Sequence, residues 1–271
     1  MNLTKKDIQN QYKLRLEIIH KQLPFKEGLT DISNKCAIQR LNMQNDNKEL
    51  LNKVNANTKL INSDILTQLK SDGRGAVIAA FHTRLYPYIP LMISKNNYNV
   101  KVAISSEVDK EEGKFYRQIM ENNNLRCNIL HIERQSHLKK IIDNLRKGNF
   151  IVFYIDGNMG IKEKNMATFK FFNTPIKVQT GVARLANIAG VPILPTLSYC
   201  NSSNEKIIEF LDPIKPSNNY KLQTIKIYKI LEKFLEQYTD QWEGWLYFEN
   251  FFTNNPVQSI SIDEFEHKNQ Y

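Results

Sequence analysis

The stretch Gly73-Arg-Gly-Ala-Val-Ile-Ala-Ala-Phe-His82-Thr-Arg-Leu-Tyr-Pro87 decides how we interpret the rest of the chain. Residues 76–81 are small or apolar without interruption, which is typical of a strand that is buried on both faces of a parallel sheet. His82 follows at the carboxyl end of this strand, where open α/β sheets bind their ligands. Because imidazole titrates near neutral pH, His82 is either a general base or a structural histidine at a strand end.

Apolar segments and helical patterns alternate along the rest of the chain. Six segments, the first one included, predict strands at residues 76–81, 99–104, 128–132, 150–155, 192–198 and 206–210. Helical patterns lie between them, one ended by Gly148 and another by Gly190. This alternation predicts the α/β class, with a mostly parallel central sheet flanked by helices. The strand at 150–155 leads into Asp156, so we expect His82 and Asp156 on the same edge of the sheet.

The chain divides into three predicted parts. Residues 1–63 form a helical N-terminal extension packed on the core, residues 64–255 form the α/β domain, and residues 256–271 form a polar C-terminal tail. Apolar side chains recur at helical spacing from residue 5 to residue 23, which predicts an amphipathic helix that packs on the core or lies on a membrane surface. The Asn-rich residues 42–62 surround a short helical pattern and predict a surface cap.

The charge of the chain indicates an anionic partner. Lys and Arg number 37 against 28 Asp and Glu, a net charge of +9 over 271 residues. The candidate partners are nucleic acid, an acidic lipid surface and a phosphate-bearing substrate such as a coenzyme thioester. No nucleic-acid-binding motif is recognisable, so nucleic acid is the least favoured of the three. Residues 114–147 hold eight basic and three acidic side chains, which indicates either a solvated face or an anion-binding region.

Cysteine spacing and hydropathy indicate the compartment. The three cysteines are far apart and show no paired spacing, which argues against a zinc site or a disulfide framework. No window approaches 18 consecutive apolar residues, and residues 1–10 lack the apolar core of a signal peptide. We therefore expect a cytoplasmic protein whose contact with the inner face of the cell membrane, through anionic lipid, is peripheral.

Several common catalytic motifs are missing from the sequence. It has no Gly-x-Ser-x-Gly elbow and no Walker phosphate loop, and Gly73-Arg-Gly75 precedes its strand, whereas a dinucleotide-binding fingerprint follows one. The remaining chemistry is a histidine, an acid and flanking basic residues on a parallel sheet.

An ordered series of motifs surrounds these residues. After the strand with His82 come Leu138–Gly148 leading to Phe153-Tyr-Ile-Asp156, Phe171-Phe172, Thr180-Gly181-Val-Ala-Arg184, Gly190-Val-Pro-Ile-Leu-Pro195 and Gln241-Trp242. In this order and spacing, over about residues 64–245, the chain resembles the lipid A biosynthesis acyltransferase (HtrB-like) family of the lysophospholipid acyltransferase superfamily. The resemblance implies a glycerolipid acyltransferase-like fold.

The resemblance also implies an activity. Family enzymes move a fatty acyl group from an acyl carrier protein or coenzyme A thioester, used as co-substrate, onto a hydroxyl or amine, with no bound cofactor and no metal. They pair the histidine with an Asp or Glu five residues later, but this chain has Pro87 there. Asp156 is the candidate replacement, although it is alternatively a turn residue before Gly157. The resemblance therefore implies a divergent member of the family, and its acceptor is expected to be lipid-like, a glycan or a natural product.

Further residues are predicted to contact the substrate, and among them Arg184 matches an arginine of the family on the helix after the Thr180-Gly181 turn. Arg184 is expected to meet a phosphate or the oxyanion, or alternatively to pair with Asp156, and Arg84 is a weaker candidate for the same work. Asn158, Thr180 and Gly181 complete the predicted substrate-binding set. The competing hypothesis is a non-catalytic binding protein that retains the acyltransferase fold but has lost the His-x4-Asp/Glu pair.

Overall fold

The computed structural model of the protein describes residues 4–19, 28–51, 57–125, 128–132, 135–157 and 166–252. The strands are β1 (Thr58–Ile61), β2 (Ala76–Ala80), β3 (Val100–Ile104), β4 (Ile129–His131), β5 (Phe150–Tyr154), β6 (Met166–Phe171), β7 (Thr174–Gln179), β8 (Ile193–Cys200) and β9 (Lys206–Phe210). The α-helices are α1 (Lys5–Ile19), α2 (Leu29–Leu51), α3 (Asp64–Ser71), α4 (Tyr88–Lys95), α5 (Ser106–Val108), α6 (Lys114–Asn122), α7 (Gln135–Arg146), α8 (Gly181–Ala189) and α9 (Tyr220–Leu235). A π-helical turn covers Asp109–Gly113, and 3₁₀ turns cover Thr239–Gln241 and Glu243–Phe251.

Within these residues, the central sheet has seven strands in the order β1-β9-β8-β2-β5-β3-β4. Strands β8, β2, β5, β3 and β4 run parallel to one another, while β9 is antiparallel to β8 and parallel to β1. The structure confirms the predicted α/β class with a mostly parallel sheet, and the six predicted strands are present with ends that differ by at most two residues.

Strand β2 lies in the middle of the sheet, and helices cover both of its faces. Its odd-numbered residues Val77 and Ala79 join a core with helices α1, α7, α8 and α9, while its even-numbered residues join a second core with α3, α4 and α6. Every residue of β2 is fully buried. Alternate side chains of a strand point to opposite faces, so a continuous apolar run is what a strand between two helical layers requires.

Gly75 allows β2 to begin close to a neighbouring chain segment. A Cβ atom on Gly75 would lie 2.3 Å from the carbonyl oxygen of Asn149 and 2.5 Å from that of Leu145. These two residues end α7 and lead into β5. The absence of a side chain at Gly75 therefore lets β2 and β5 start at the same level of the sheet.

The N-terminal helices pack on the core. The length of α2 and the presence of strand β1 differ from the sequence-based expectation. In α1 the buried face consists of Ile8, Tyr12 and Leu16, which join the first core. Helix α2 is a single helix of 23 residues. Thr58–Ile61, predicted to lie in a surface cap, is instead β1, the edge strand that pairs with β9.

The hairpin β6–β7 was not predicted. Its alternating pattern buries Ala167, Phe169 and Phe171 against helix α9 and the 3₁₀ turns, as the aromatic contacts of Phe169 with Tyr228 and of Phe171 with Phe248 show. The four lysines in residues 162–177 obscured this period-two signal. None of the described helices combines the length and the apolar character needed to cross a membrane.

Candidate active site

The register of two parallel strands brings His82 and Asp156 together. Ala80 at the end of β2 is the partner of Tyr154 at the end of β5. The backbone pairing continues one step further, because the N–H of Ile155 donates to the carbonyl oxygen of Ala80 over 2.9 Å. His82 and Asp156 each lie two residues beyond the Ala80–Tyr154 pair, so they meet across the carboxyl edge of the sheet.

The contact between the two side chains is direct. His82 Nδ1 lies 2.7 Å from Asp156 Oδ1, and the backbone N–H of His82 donates to Asp156 Oδ2 over 2.9 Å. An ionised carboxylate only accepts hydrogen bonds, so Nδ1 carries the proton in this contact. In the neutral ring the lone pair is then on Nε2. The His82 side chain is 17% exposed and that of Asp156 is 0% exposed, so a reactant can reach the imidazole but not the carboxylate.

Asp156 is a buried carboxylate that keeps its charge. Burial by itself would raise its pKa, but the charge of His82 and the hydrogen bonds from His82 and Trp242 outweigh burial and hold the pKa of Asp156 below its usual value. Its three hydrogen bonds come from N–H donors, two from His82 and one from Trp242. An anion without solvent contact is tolerated when donors of this kind surround it.

Trp242 is a contact of the site to which sequence reasoning gave no role. Its indole Nε1–H donates to Asp156 Oδ2 over 2.7 Å, and the side chain is fully buried. The sequence signal was the Gln241-Trp242 pair, which belongs to the motif series but whose function the spacing alone does not reveal. A tryptophan buried beside a carboxylate needs a partner for its N–H, and the carboxylate provides one.

Tyrosines surround the imidazole. The rings of Tyr86 and Tyr154 lie 4.9 Å and 5.0 Å from the His82 ring, and the hydroxyl of Tyr247 lies 3.4 Å from His82 Nδ1. The hydroxyl of Tyr116 donates to that of Tyr154, which donates to the carbonyl oxygen of Tyr86. Burial and the charge of Asp156 raise the pKa of Tyr247 well above its usual value, so its hydroxyl stays protonated. Tyrosines that are scattered along a sequence do not predict that their side chains will surround one histidine.

Pro87, at the position where the resemblance places an acid, begins a helix. It lies immediately before α4, at the N-cap position with φ −70°. Proline is well suited to a helix start because its φ is fixed near the helical value and it needs no N–H partner there. The carboxylate that contacts His82 is that of Asp156, which follows the neighbouring strand β5.

The Arg84 side chain, predicted to contact the substrate, bonds two residues of α2. Its guanidinium Nε is 2.9 Å from Asp46 Oδ2, and Nη1 donates to Gln39 over 3.1 Å. Lys206 Nζ lies 3.0 Å from the other oxygen of Asp46. Arg84 is 8% exposed, so its charge is used to fasten α2 to the central sheet. The partner was not recognised because Asp46 lies in the Asn-rich segment that we interpreted as a surface cap.

The remaining predicted substrate contacts lie at the start of α8, apart from Asn158, which falls outside the described residues. Thr180 is the buried N-cap residue of α8, and Gly181 is its exposed first residue. The guanidinium of Arg184 lies over the ring of Tyr220 at 5.6 Å. The three hydrogen bonds of Asp156 come from His82 and Trp242, so the alternative pairing of Arg184 with Asp156 is not what the structure shows.

A second histidine–aspartate pair lies at the end of β4, two strands from β5 in the sheet. His131, at the end of β4, has Nε2 2.9 Å from Asp109 Oδ2, and Arg117 Nη1 is 2.8 Å from Asp109 Oδ1. Asp109 therefore lies between a histidine and an arginine, whereas Asp156 lies between a histidine and a tryptophan. Among the residues described, no cluster of three or more His, Cys, Asp or Glu side chains is arranged to hold a metal ion.

Comparison with known protein families gives a match over residues 43–252. The matching family is described as bacterial lipid A biosynthesis acyltransferase. The matched residues are more than half of the chain and include β2, β5, His82, Asp156 and Trp242, and they confirm the resemblance seen in the motifs. No curated protein matches the chain.

Proposed function

The chain belongs to the bacterial lipid A biosynthesis acyltransferase family, and from this premise we propose an acyltransferase with His82 as general base and Asp156 as the carboxylate that orients it. Membership of the family indicates acyl transfer as the activity. The observation that supports our assignment of residues is the 2.7 Å contact between His82 Nδ1 and Asp156 Oδ1 at the carboxyl edge of the sheet. Asp156 thus supplies the carboxylate that is missing at position 87.

In the proposed reaction, His82 moves one proton twice. Nε2 accepts the proton of the acceptor's hydroxyl or amine while the acceptor's oxygen or nitrogen attacks the thioester carbonyl carbon. The carbon–sulfur bond then breaks, and the proton on Nε2 passes to the leaving sulfur. The products are an ester or amide and a free thiol, and His82 returns to its starting state.

Asp156 acts on the charged intermediate state of the ring. When Nε2 is protonated, the imidazolium lies beside a buried carboxylate that cannot be solvated. The charge of Asp156 favours the imidazolium and so favours proton removal from the acceptor. Its hydrogen bond to Nδ1 also selects the tautomer in which Nε2 accepts the proton. Both effects operate without Asp156 touching the substrate.

The donor in this proposal is an acyl thioester of an acyl carrier protein or of coenzyme A. The net charge of +9 favours both, because each carries phosphate or acidic groups. The acceptor is a hydroxyl or amine of a lipid-like, glycan or natural-product molecule, reached through peripheral contact with an anionic membrane surface. Thr180, Gly181 and Arg184 are proposed to contact the substrate from the start of α8.

The decisive experiment measures thiol release. Purified protein is incubated with acyl carrier protein or coenzyme A thioesters and a panel of acceptors, and product is identified by mass spectrometry. We expect His82→Ala to abolish transfer and to remain folded, because the side chain lies at the end of a strand and contributes little to the core. His131→Ala is the matched control, since it removes a histidine that is also bonded to an aspartate.

Two results would contradict the proposal. Undiminished transfer by folded His82→Ala protein would exclude His82 as the base. The absence of turnover with every donor and acceptor, together with thioester binding that His82→Ala does not affect, would favour the non-catalytic binding protein.

A further inference from the structure

We propose that Trp242 is a positioning residue that fixes the Asp156 carboxylate for His82, and that the segment Gln241–Gly244 exists to hold the Trp242 indole in place. The inference rests on the function proposed for the His82–Asp156 pair. It concerns a residue that touches neither reactant, since Trp242 is 1% exposed and acts through Asp156.

Backbone hydrogen bonds attach the segment Gln241–Gly244 to the residues around His82. The N–H of Arg84 donates to the carbonyl oxygen of Gln241, the N–H of Glu243 donates to that of His82, and Thr83 and Trp242 form an antiparallel bridge. A single antiparallel bridge and the two hydrogen bonds beside it therefore pair the backbone around the imidazole with the backbone around the indole. This pairing sets the distance between the indole and the sheet edge.

Gln241 supplies a second attachment. Its side-chain oxygen accepts from the N–H of Cys200 over 2.9 Å, and its side-chain nitrogen donates to the carbonyl oxygen of Cys200 over 2.7 Å. Both groups lie at the end of β8, so the amide continues the ladder of the sheet. Neighbouring residues in the Gln-Trp pair thus divide the work, because Gln241 attaches the segment and Trp242 reaches Asp156.

Gly244 leaves the space that the indole occupies. A Cβ atom at position 244 would lie 2.1 Å from two carbon atoms of the Trp242 ring and 2.7 Å from Nε1. Any side chain there would push the ring, and the N–H with it, away from Asp156. The requirement for glycine at this position is therefore explained by the location of the indole.

The hydrogen-bond donors around Asp156 indicate that the indole fixes the orientation of the carboxylate. Oδ2 of Asp156 accepts from the Trp242 indole and from the His82 backbone, whereas Oδ1 faces His82 Nδ1. Two fixed donors on one oxygen prevent rotation of the carboxylate about its Cβ–Cγ bond. Oδ1 is consequently held on the line to Nδ1, which keeps the proton on Nδ1 and the accepting lone pair on Nε2.

The test compares two tryptophans of the same segment. Trp242→Phe keeps the aromatic ring but removes the N–H that bonds Asp156. Trp245→Phe is the matched control, because Trp245 is also fully buried and donates its N–H to a backbone oxygen, that of Thr239. Both proteins are labelled with ¹⁵N-histidine, and the tautomer and the exchange rate of the His82 Nδ1–H proton are measured by NMR, with His82→Ala to assign the signal.

We expect the Nδ1–H of His82 to exchange with water about tenfold faster or more in Trp242→Phe, and the ¹⁵N shifts to move toward a mixture of tautomers. Trp245→Phe should match the wild type. Gly244→Ala, which keeps the tryptophan but displaces it, should reproduce the Trp242→Phe signature. Where an acyl transfer assay is available, kcat should fall about tenfold in Trp242→Phe with KM changed less than twofold.

An unchanged tautomer and exchange rate in folded Trp242→Phe would overturn the inference, as would equal changes in Trp242→Phe and Trp245→Phe. If Trp242→Phe does not fold, Gly244→Ala decides by the same measurement. Because the NMR readout requires no substrate, these outcomes stand whether or not the protein transfers acyl groups. Loss of the proposed function alone would appear as a normal His82 signature without turnover.

Discussion

Asp156→Asn should stop the chemistry by reversing the histidine tautomer as well as by removing a charge. An asparagine has one oxygen and one NH₂ group in place of two oxygens. Two fixed N–H donors, from His82 and Trp242, point at the Oδ2 position, so the amide oxygen must occupy it. The NH₂ group then faces His82 Nδ1, which must accept. The ring proton moves to Nε2, and the proposed base no longer has its lone pair.

The magnitude follows from the same geometry. Opposite unit charges 2.7 Å apart attract by roughly 6 kcal/mol at an effective dielectric constant near 20, which sets an upper limit for the lost charge. Removing an orienting carboxylate in this way slows general-base chemistry by a factor on the order of 10² to 10⁴. That factor corresponds to about 3 to 5 kcal/mol in the activation free energy, and it falls within the electrostatic limit.

The assay combines single-turnover rates with ¹⁵N NMR of labelled histidine. We expect kcat to fall by that factor, substrate affinity to change much less, and His82 to show a protonated Nε2. Asp109→Asn is the control, since it alters the other histidine–aspartate pair. A folded Asp156→Asn protein that retains more than a tenth of its activity, or one in which Nδ1 is still protonated, would refute the reasoning.

The other predictions concern stability. Asp46→Ala should lower the free energy of unfolding by about 3 to 5 kcal/mol in chemical denaturation, because it leaves the buried cation of Arg84 without its carboxylate partner, while the half-buried Lys206 keeps Glu49. The pKa of Asp156 is lowered from 3.8 in the folded protein, so its ionisation stabilises the fold fully above that value. This contribution should be lost as the pH falls through the folded pKa, and acid titration of Asp156→Asn should lack it. Gly75→Ala should destabilise by about 1 to 3 kcal/mol or more, measured as a lower Tm, because its Cβ would overlap two carbonyl oxygens.

Each stability prediction has its own comparison. Asp64→Ala removes an exposed acid from the start of α3 and should cost far less than Asp46→Ala, so equal costs would mean that the buried pair is not important. Gly181→Ala adds a Cβ that has no atom within 4 Å, and a loss as large as that of Gly75→Ala would contradict the steric argument. An acid transition with the same slope in Asp156→Asn and wild type would contradict the pH argument.

The sequence predicted the fold where one physical signal dominated. The run from Ala76 to Phe81 has only small or apolar residues, so burial on both faces could be read directly. The hairpin β6–β7 was missed because lysines and phenylalanines occur together there, and charge hid the period-two burial of Phe169 and Phe171. Strand β1 was missed because its neighbours are rich in asparagine, and its place in the sheet depends on pairing with β9, nearly 150 residues away.

Some features of the site could likewise be predicted from the sequence, and others could not. A histidine and an acid at strand ends are visible in sequence, as is the substitution of Pro87 for the family acid. The contact between them depends on β2 and β5 being neighbours in register, which strand patterns do not encode. The ion pair of Arg84 with Asp46 was not predicted, because a basic residue near a histidine does not reveal which acid it bonds. Trp242 was visible only as part of a motif.

The register of β2 and β5 also determines when the site comes into existence during folding. In the family pattern the acid follows the histidine by five residues, so a short local segment contains both. Here the partners are 74 residues apart and meet only when two central strands have paired, which is a contact of high sequence separation and is formed late or slowly. A partly folded chain therefore has a histidine but no oriented base, and the protection of His82 Nδ1–H from exchange reports completion of the central sheet.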